Sequence, residues 1–377
     1  MANEQEGVVP QQSRGRAGRQ PAFDIFKGIA IAEVVVHHVT SFAWMNLAPT
    51  TPSQFVYILV NRTLHFAVPA FLFLMGVVLA HSLTQEKQVS WRNFFSRRVQ
   101  QTLVPYLVWS VFYAVFAFYQ GKAGAADLSS WATWRHWLMW GKAWFHLYFL
   151  VLALQFYLLF PIALLAFRRV RISLPVLLIG AALVQVGLYW VNHRWLRVPY
   201  PSSLLTWHVI PALTGIWLGM RLESWEAIWA RLRWGCLFLA LVGWACYLPL
   251  GYRELRGMPL NTFGYQAAYW AYTLGVCFCL LAASRALARH AGWAARFFRT
   301  FGTYSLQIYL LHPMLLFLWY RSPQSGSTLV YHLTVLVVVL AALGIPLVVG
   351  AYASRGRLGR LLFGRDLRPC FFQPLKT

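Results

Sequence analysis

The sequence predicts an all-α membrane protein, a polytopic bundle of about ten transmembrane helices with N and C termini in the cytoplasm. Three observations carry this. Hydrophobic residues make up 59% of the 377 and charged ones only 11%, with a mean hydropathy of +0.52 and 19 tryptophans, more apolar surface than one soluble core hides. Runs of ~20 mostly apolar residues, the length that crosses a bilayer as a helix, recur from residue 23 to residue 352. These runs are continuously apolar and lack the ~10-residue polar/apolar alternation of a membrane barrel.

The elements follow in chain order. Residues 1–22 form a polar arm bearing Arg14, Arg16 and Arg19, without the apolar core of a cleavable signal, so the first span, 23–45, is expected to be retained. The second span, 55–83, contains Arg62 and His65; the third, 99–120, follows Arg97 and Arg98 and carries Pro105 near its start. Residues 121–142 make the longest external loop, and because five of its 22 residues are Trp or His it is a candidate cover for a site. The fourth and fifth spans occupy 143–167 and 171–191, and the sixth 203–221, with His208 near its outer start. The last four cover 233–250, 263–284, 302–320 and 328–352, with His312 about halfway along the ninth. A basic tail, 353–377, follows, leaving 23–352 as one transmembrane domain.

A net charge of +23 would suit nucleic acid in a soluble protein, but its distribution has another cause. Of the 33 Lys and Arg, 23 lie in the N-terminal arm, four alternate loops and the tail; eight lie in the other five loops, and Lys27 and Arg62 lie inside spans. That asymmetry is the positive-inside pattern and puts both termini in the cytoplasm. Charge spread over loops rather than gathered into one patch argues against nucleic acid and for the lipid bilayer as partner. The five cysteines, at 236, 246, 277, 279 and 370, form no C-x-x-C pair, so neither a disulfide framework nor a metal site is expected.

The first span is unusual. Beyond Asp24 at its cytoplasmic edge, its stretch FDIFKGIAIAEVVVHH (23–38) holds Lys27, Glu33, His37 and His38 in an otherwise apolar run, and Glu33 is the only one of ten acidic residues deep within a span. A charge at the centre of a spanning helix costs about 2.5 to 3.5 kcal/mol, so such groups face the protein interior and often mark a functional path. Lys27 and His38 are eleven residues apart, which puts them within roughly 20° of one helix face and about 16 Å apart along the axis. One stripe thus joins a cation near the inner surface to a base past the midplane. The structural alternative is a snorkelling Lys27 and a His38 that serves as an interhelical hydrogen-bond partner. Glu33 and His37, four apart, are placed to pair on a second face, as a structural unit or a proton relay.

DIFKGIAIAEVVVHH resembles the first-helix pattern of the acyltransferase-3 family of integral membrane O-acyltransferases: a basic residue, ten residues, then histidine. The match maps onto Lys27 and His38 and selects His38 over His37. HFAVPAFLFLMG (65–76) is similar to the family's second-helix run, with Met75 where serine is common, and FFSRRVQQTLVPYLVWS (94–110) resembles the start of its third helix, with Gln100 and Gln101 at frequently basic positions. HLYFLVLALQFYLLFP (146–161) and GTYSLQIYLLHP (302–313) are similar to its fourth and ninth helices.

The resemblance implies transfer of an acyl group, most often acetyl, from cytoplasmic acyl-CoA as co-substrate to an extracytoplasmic glycan, as in exopolysaccharide modification, with no permanently bound cofactor. It implies a multi-pass protein of the bacterial plasma membrane. Histidine suits the base such chemistry needs near neutral pH, and His38 is the candidate, either activating the acceptor hydroxyl or carrying the acyl group itself. Lys27, Arg97 and Arg98 suit the donor phosphates, Arg97 and Arg98 being topology anchors otherwise. Arg62 and His65 lie at a depth similar to His38, and Arg62 is expected either to stabilise an oxyanion or, the favoured reading, to pair with Glu33. His146 joins this outer group, and His208 and His312 are expected to pack or hydrogen-bond. The rival readings are a glycan or lipid-linked saccharide exporter, since a polar stripe also suits a translocation path, and a non-catalytic subunit of a polysaccharide synthase. A homo-oligomer is compatible with the sequence.

Overall fold

The computed structural model describes residues 20–86, 88–290, 292–322 and 327–367, and among these the regular structure is entirely helical. The helices are α1 (Pro21–Met45), α2 (Pro52–Thr63), α3 (Ala67–Thr84), α4 (Trp91–Arg98), α5 (Val104–Tyr119), α6 (Ala125–Ser129), α7 (Trp131–Trp140) and α8 (Tyr148–Arg169), then α9 (Leu174–Val191), α10 (Val209–Gly219), α11 (Trp225–Leu255), α12 (Thr262–His290), α13 (Trp293–Thr303), α14 (Ser305–Tyr320), α15 (Thr328–Ala353) and α16 (Gly356–Phe363). Among the described residues eight helical segments are long and apolar enough to cross a membrane, with α2 and α3 counted as one and α4 with α5 as another; α13 and α14 form a further pair bent by 76°. The polytopic helical bundle is therefore as expected, with differences at three breaks.

The second span is broken at residues 64–66. Pro69 has no N–H to donate four residues back, and its ring crowds the carbonyl of His65, which favours a break here, although α8, α11, α14 and α15 run on through internal prolines. The third span starts earlier than expected, with α4, and widens into a π-turn over Val99–Leu103 just before Pro105, for the same reason. The sixth span departs most from expectation. Instead of a helix over 203–221, short 3-10 turns at Pro201–Ser203 and Leu205–Trp207 lead into the 11-residue α10, whose third residue is Pro211.

Irregular backbone at membrane depth is tolerated only where its polar groups find partners. Two glutamines from neighbouring helices supply them. Gln155 of α8 donates to the Ser203 carbonyl (2.9 Å) and accepts from the Leu205 amide (2.8 Å), and Gln185 of α9, fully buried, does the same for Thr206 and Val209 (2.8 Å each). α10 still returns toward the start of α9, where Trp217 and Arg221 both donate to the Ile172 carbonyl.

α1 stands between two apolar clusters. Phe26 and Ala30 pack into one, with residues of α3, α8, α10 and α12; Val35 and Val39 pack into the other, with residues of α5, α14 and α15. Glycine sets how close α13 comes: a Cβ on Gly28 would lie 1.8 Å from the Phe298 carbonyl oxygen, and one on Gly302 1.7 Å from that of Asp24. Lys27 shares a cavity with residues 363–367, so the start of α1 and the last described residues lie at one face of the bundle, called here the terminal face.

Candidate active site

Two cavities lie along α1. The larger, of about 420 Å³, is lined by Glu33, His37, His38, His65, His146 and His208 among others, and reaches the loops opposite the terminal face through Lys142, Ser202 and Gln266. The smaller, of about 160 Å³, is lined by Lys27, Arg98 and Arg365 at the terminal face. Phe149 lines both, its ring 5.6 Å from Phe71 and 5.8 Å from Tyr309. The stripe on α1 thus has a cavity at each end and an aromatic partition between.

His38 is held by a residue 274 positions away. Its Nδ1 lies 2.9 Å from His312 Nε2, with the ring planes within 10° of each other and the centroids 5.2 Å apart. His312 Nδ1 in turn lies 2.8 Å from the Ile308 carbonyl, which can only accept, so the network assigns the His312 proton to Nδ1. A neutral His312 then accepts at Nε2 and His38 donates from Nδ1, which leaves the lone pair on Nε2 of a ring that lines the cavity. His37 is fixed differently: its Nδ1 donates to the Asn61 carbonyl (2.9 Å), and the Asn61 amide returns a bond to the His37 carbonyl (2.8 Å). Its ring stacks on His65 at 5.0 Å.

The expected pairing of Arg62 with Glu33 is not formed, nor is that of Glu33 with His37. Arg62 Nη2 lies 2.5 Å from Glu254 Oε2, a carboxylate from the far end of α11, because α2 and α11 pack side by side and Arg62 points across that contact. Arg62 Nη1 also lies 3.5 Å from His65 Nδ1, and the Tyr247 hydroxyl lies 2.7 Å from the same nitrogen. A guanidinium only donates, so His65 Nδ1 accepts and its Nε2 carries the proton. The Glu33 carboxyl lies instead by the backbone amides of Phe66 and Ala67 at the start of α3, with one of its oxygens unpartnered. The break beside Pro69 creates a helix N-terminus inside the bundle, and a carboxyl oxygen is a natural acceptor for its orphan amides.

His146 is 1% exposed and both its ring nitrogens lack a hydrogen-bond partner, although it lines the cavity 6.1 Å from His312. The Tyr309 hydroxyl donates to its backbone carbonyl. At the mouth Lys142, outside the spans, sits with its Nζ 4.1 Å from the Tyr200 ring centroid, and burial lowers its pKa.

At the terminal face Lys27 Nζ contacts Asp24 Oδ1 at 2.6 Å. Arg98 is sandwiched between the Phe94 and Tyr157 rings, 4.9 Å from each centroid, and donates to Gln101 Oε1 (3.3 Å), while its Nε is buried without a partner. Met75, Gln101 and Gln307 share the lining. Arg97 points elsewhere, onto the exposed side of α4, and the two basic neighbours are therefore not equivalent. Sequence reasoning missed the His38–His312 pair, Glu254 and Tyr247 as partners, and Arg365 in the cationic cavity.

A helical bundle of membrane-spanning length around a polar cavity defines a polytopic membrane protein with a protected internal site. A model of the acyltransferase-3 family, described as "Acyltransferase domain", matches residues 20–352, and the chain belongs to that family: it is a membrane acyltransferase. No curated protein and no solved structure matches the chain.

Proposed function

We propose that the protein transfers an acyl group, acetyl foremost, from acyl-CoA to a hydroxyl of a glycan. In this reading the terminal face is cytoplasmic, the membrane is the bacterial plasma membrane, and the glycan enters the histidine cavity from the outside. The observation that carries it is the His38–His312 pair, which holds the Nδ1 side of an imidazole lining a cavity on the helix stripe that begins at Lys27.

The chemistry follows from those groups. The acceptor oxygen attacks the thioester carbon while His38 Nε2 takes its proton; the C–S bond breaks and the CoA thiolate recovers the proton. In the two-step variant His38 Nε2 itself attacks the thioester carbon and expels the CoA thiolate; the acceptor hydroxyl then attacks the acyl-imidazolium, the N–C bond breaks, and the hydroxyl proton passes to the thiolate. Both variants place positive charge on His38, and the second imidazole, accepting from Nδ1–H, stabilises it. His65, protonated at Nε2, and His146 supply hydrogen bonds to the acceptor or to the oxyanion. Lys27 and Arg98 hold the donor phosphates, and the extended pantetheine arm passes Phe149 to bring the thioester to His38.

Purified protein incubated with acetyl-labelled acetyl-CoA and candidate glycans tests this. Label on the glycan supports the reading. Glycan movement across a reconstituted bilayer without label transfer would instead identify an exporter.

A further inference from the structure

The family match ends at residue 352, yet the chain beyond it is built into the cationic cavity. α16 docks through Phe363, 1% exposed, whose ring lies 6.0 Å from that of Trp109, and the Trp109 indole N–H donates to the Leu362 carbonyl at 2.8 Å. The chain then turns at Gly364 with φ +66°, a conformation that side-chain-bearing residues rarely adopt, and a Cβ there would come within 2.4 Å of the Gln101 Cα. The turn is pinned on both sides, by the Leu367 amide to the Ser354 carbonyl (2.9 Å) and by the Gly356 amide to Asp366 Oδ1 (2.9 Å).

This docking brings Arg365 to the rim of the space that Lys27 and Arg98 line. Three cations from separate parts of the chain thus share one cavity of about 160 Å³, and no carboxylate is among its described lining residues. Cations gathered around a partly enclosed space, Lys27 with its Asp24 partner among them, suit a ligand with several negative charges. The remaining polar lining, Gln101, Thr102, Thr303 and Ser305, offers neutral hydrogen bonds.

We propose that residues 356–367 are part of the donor site and that Arg365 binds the phosphate end of a CoA-type nucleotide beside Lys27 and Arg98. This rests on the acyl-CoA reading above. Its guanidinium is suited to two phosphate oxygens at once, whereas Lys27 offers a point charge already shared with Asp24.

The test is equilibrium binding of CoA and of pantetheine, which lacks the nucleotide phosphates, to the full-length protein in detergent. Arg365→Gln is expected to weaken CoA binding on the order of tenfold or more while leaving pantetheine binding unchanged, Arg365→Lys to retain part of the affinity, and Arg357→Gln, on the exposed side of α16, to match the parent. If Arg365→Gln binds CoA like the parent, this inference is wrong and the acyl-CoA reading stands. Equal weakening of CoA and pantetheine would make the segment only a structural buttress and also overturn it. A parent protein that binds no CoA would overturn both.

Discussion

His38 and His37 are neighbours in sequence but differ in what holds the Nδ1 proton: a second imidazole for His38, a backbone carbonyl for His37. A carbonyl fixes a ring, whereas an imidazole also responds to charge. His38→Ala is therefore expected to lower acyl transfer by at least ~100-fold, the scale of a lost general base, and His37→Ala by less. His312 acts through His38, so His312→Ala should slow transfer without changing donor affinity, and His312→Gln, whose amide oxygen can accept from His38 Nδ1–H, should recover part of the rate. Equal rates for the two His312 variants would remove His312 from the positioning role. At this scale the Lys27–His38 spacing was legible because helix geometry is local. Their partners were not: His312 lies 274 positions from His38 and Glu254 192 positions from Arg62, and no local pattern encodes which distant helix packs there. The favoured Glu33–Arg62 pair came from matching opposite charges by depth alone, without the helix start that claims Glu33.

The element that explains Glu33 is the break between α2 and α3. Pro69 favours the break, the break leaves the Phe66 and Ala67 amides outside the helix ladder, and the Glu33 carboxyl lies beside them. Removing that acceptor leaves buried donors unsatisfied, which costs on the order of 1–3 kcal/mol. Glu33→Ala is thus expected to lower the unfolding temperature in detergent clearly more than Glu33→Gln, whose amide oxygen still accepts. An unchanged melting temperature for Glu33→Ala would show that the amides find other partners. The sixth span teaches a related lesson. Its apolar composition reads as a helix, and Pro201 and Pro211 hint otherwise only together with Gln155 and Gln185, which sit on other spans and supply the missing backbone bonds. Hydropathy reports burial well and backbone path poorly. The ends of α11 and α12 were missed for the opposite reason: at 31 and 29 residues they extend past the ~30 Å hydrocarbon layer, so their polar final turns resemble loops.

For the molecule as a whole, the bundle and its family were legible, since apolar runs and ordered motifs survive without tertiary knowledge; the two cavities and the aromatic partition were not, because each is assembled from several helices. The charge asymmetry expects the terminal face inside. In a background lacking native cysteines, Ser129→Cys should react with a membrane-impermeant thiol reagent in intact cells and Arg357→Cys should not, and the reverse pattern would invert the orientation; Cys370, the native probe on the tail, lies outside the described residues. In the proposed reaction the cavities divide the work between donor binding at Lys27 and chemistry at His38. Lys27→Ala also removes the ion pair to Asp24, 2% exposed, so Lys27→Arg serves as the folding control. The most direct measurement is acyl-CoA affinity together with single-turnover transfer for the parent, Lys27→Ala, Lys27→Arg and His38→Ala in detergent. His38→Ala is expected to bind the donor like the parent and transfer nothing measurable, with Lys27→Ala binding it weakly and Lys27→Arg binding it well; a His38→Ala protein that transfers at the parental rate would contradict the central claim.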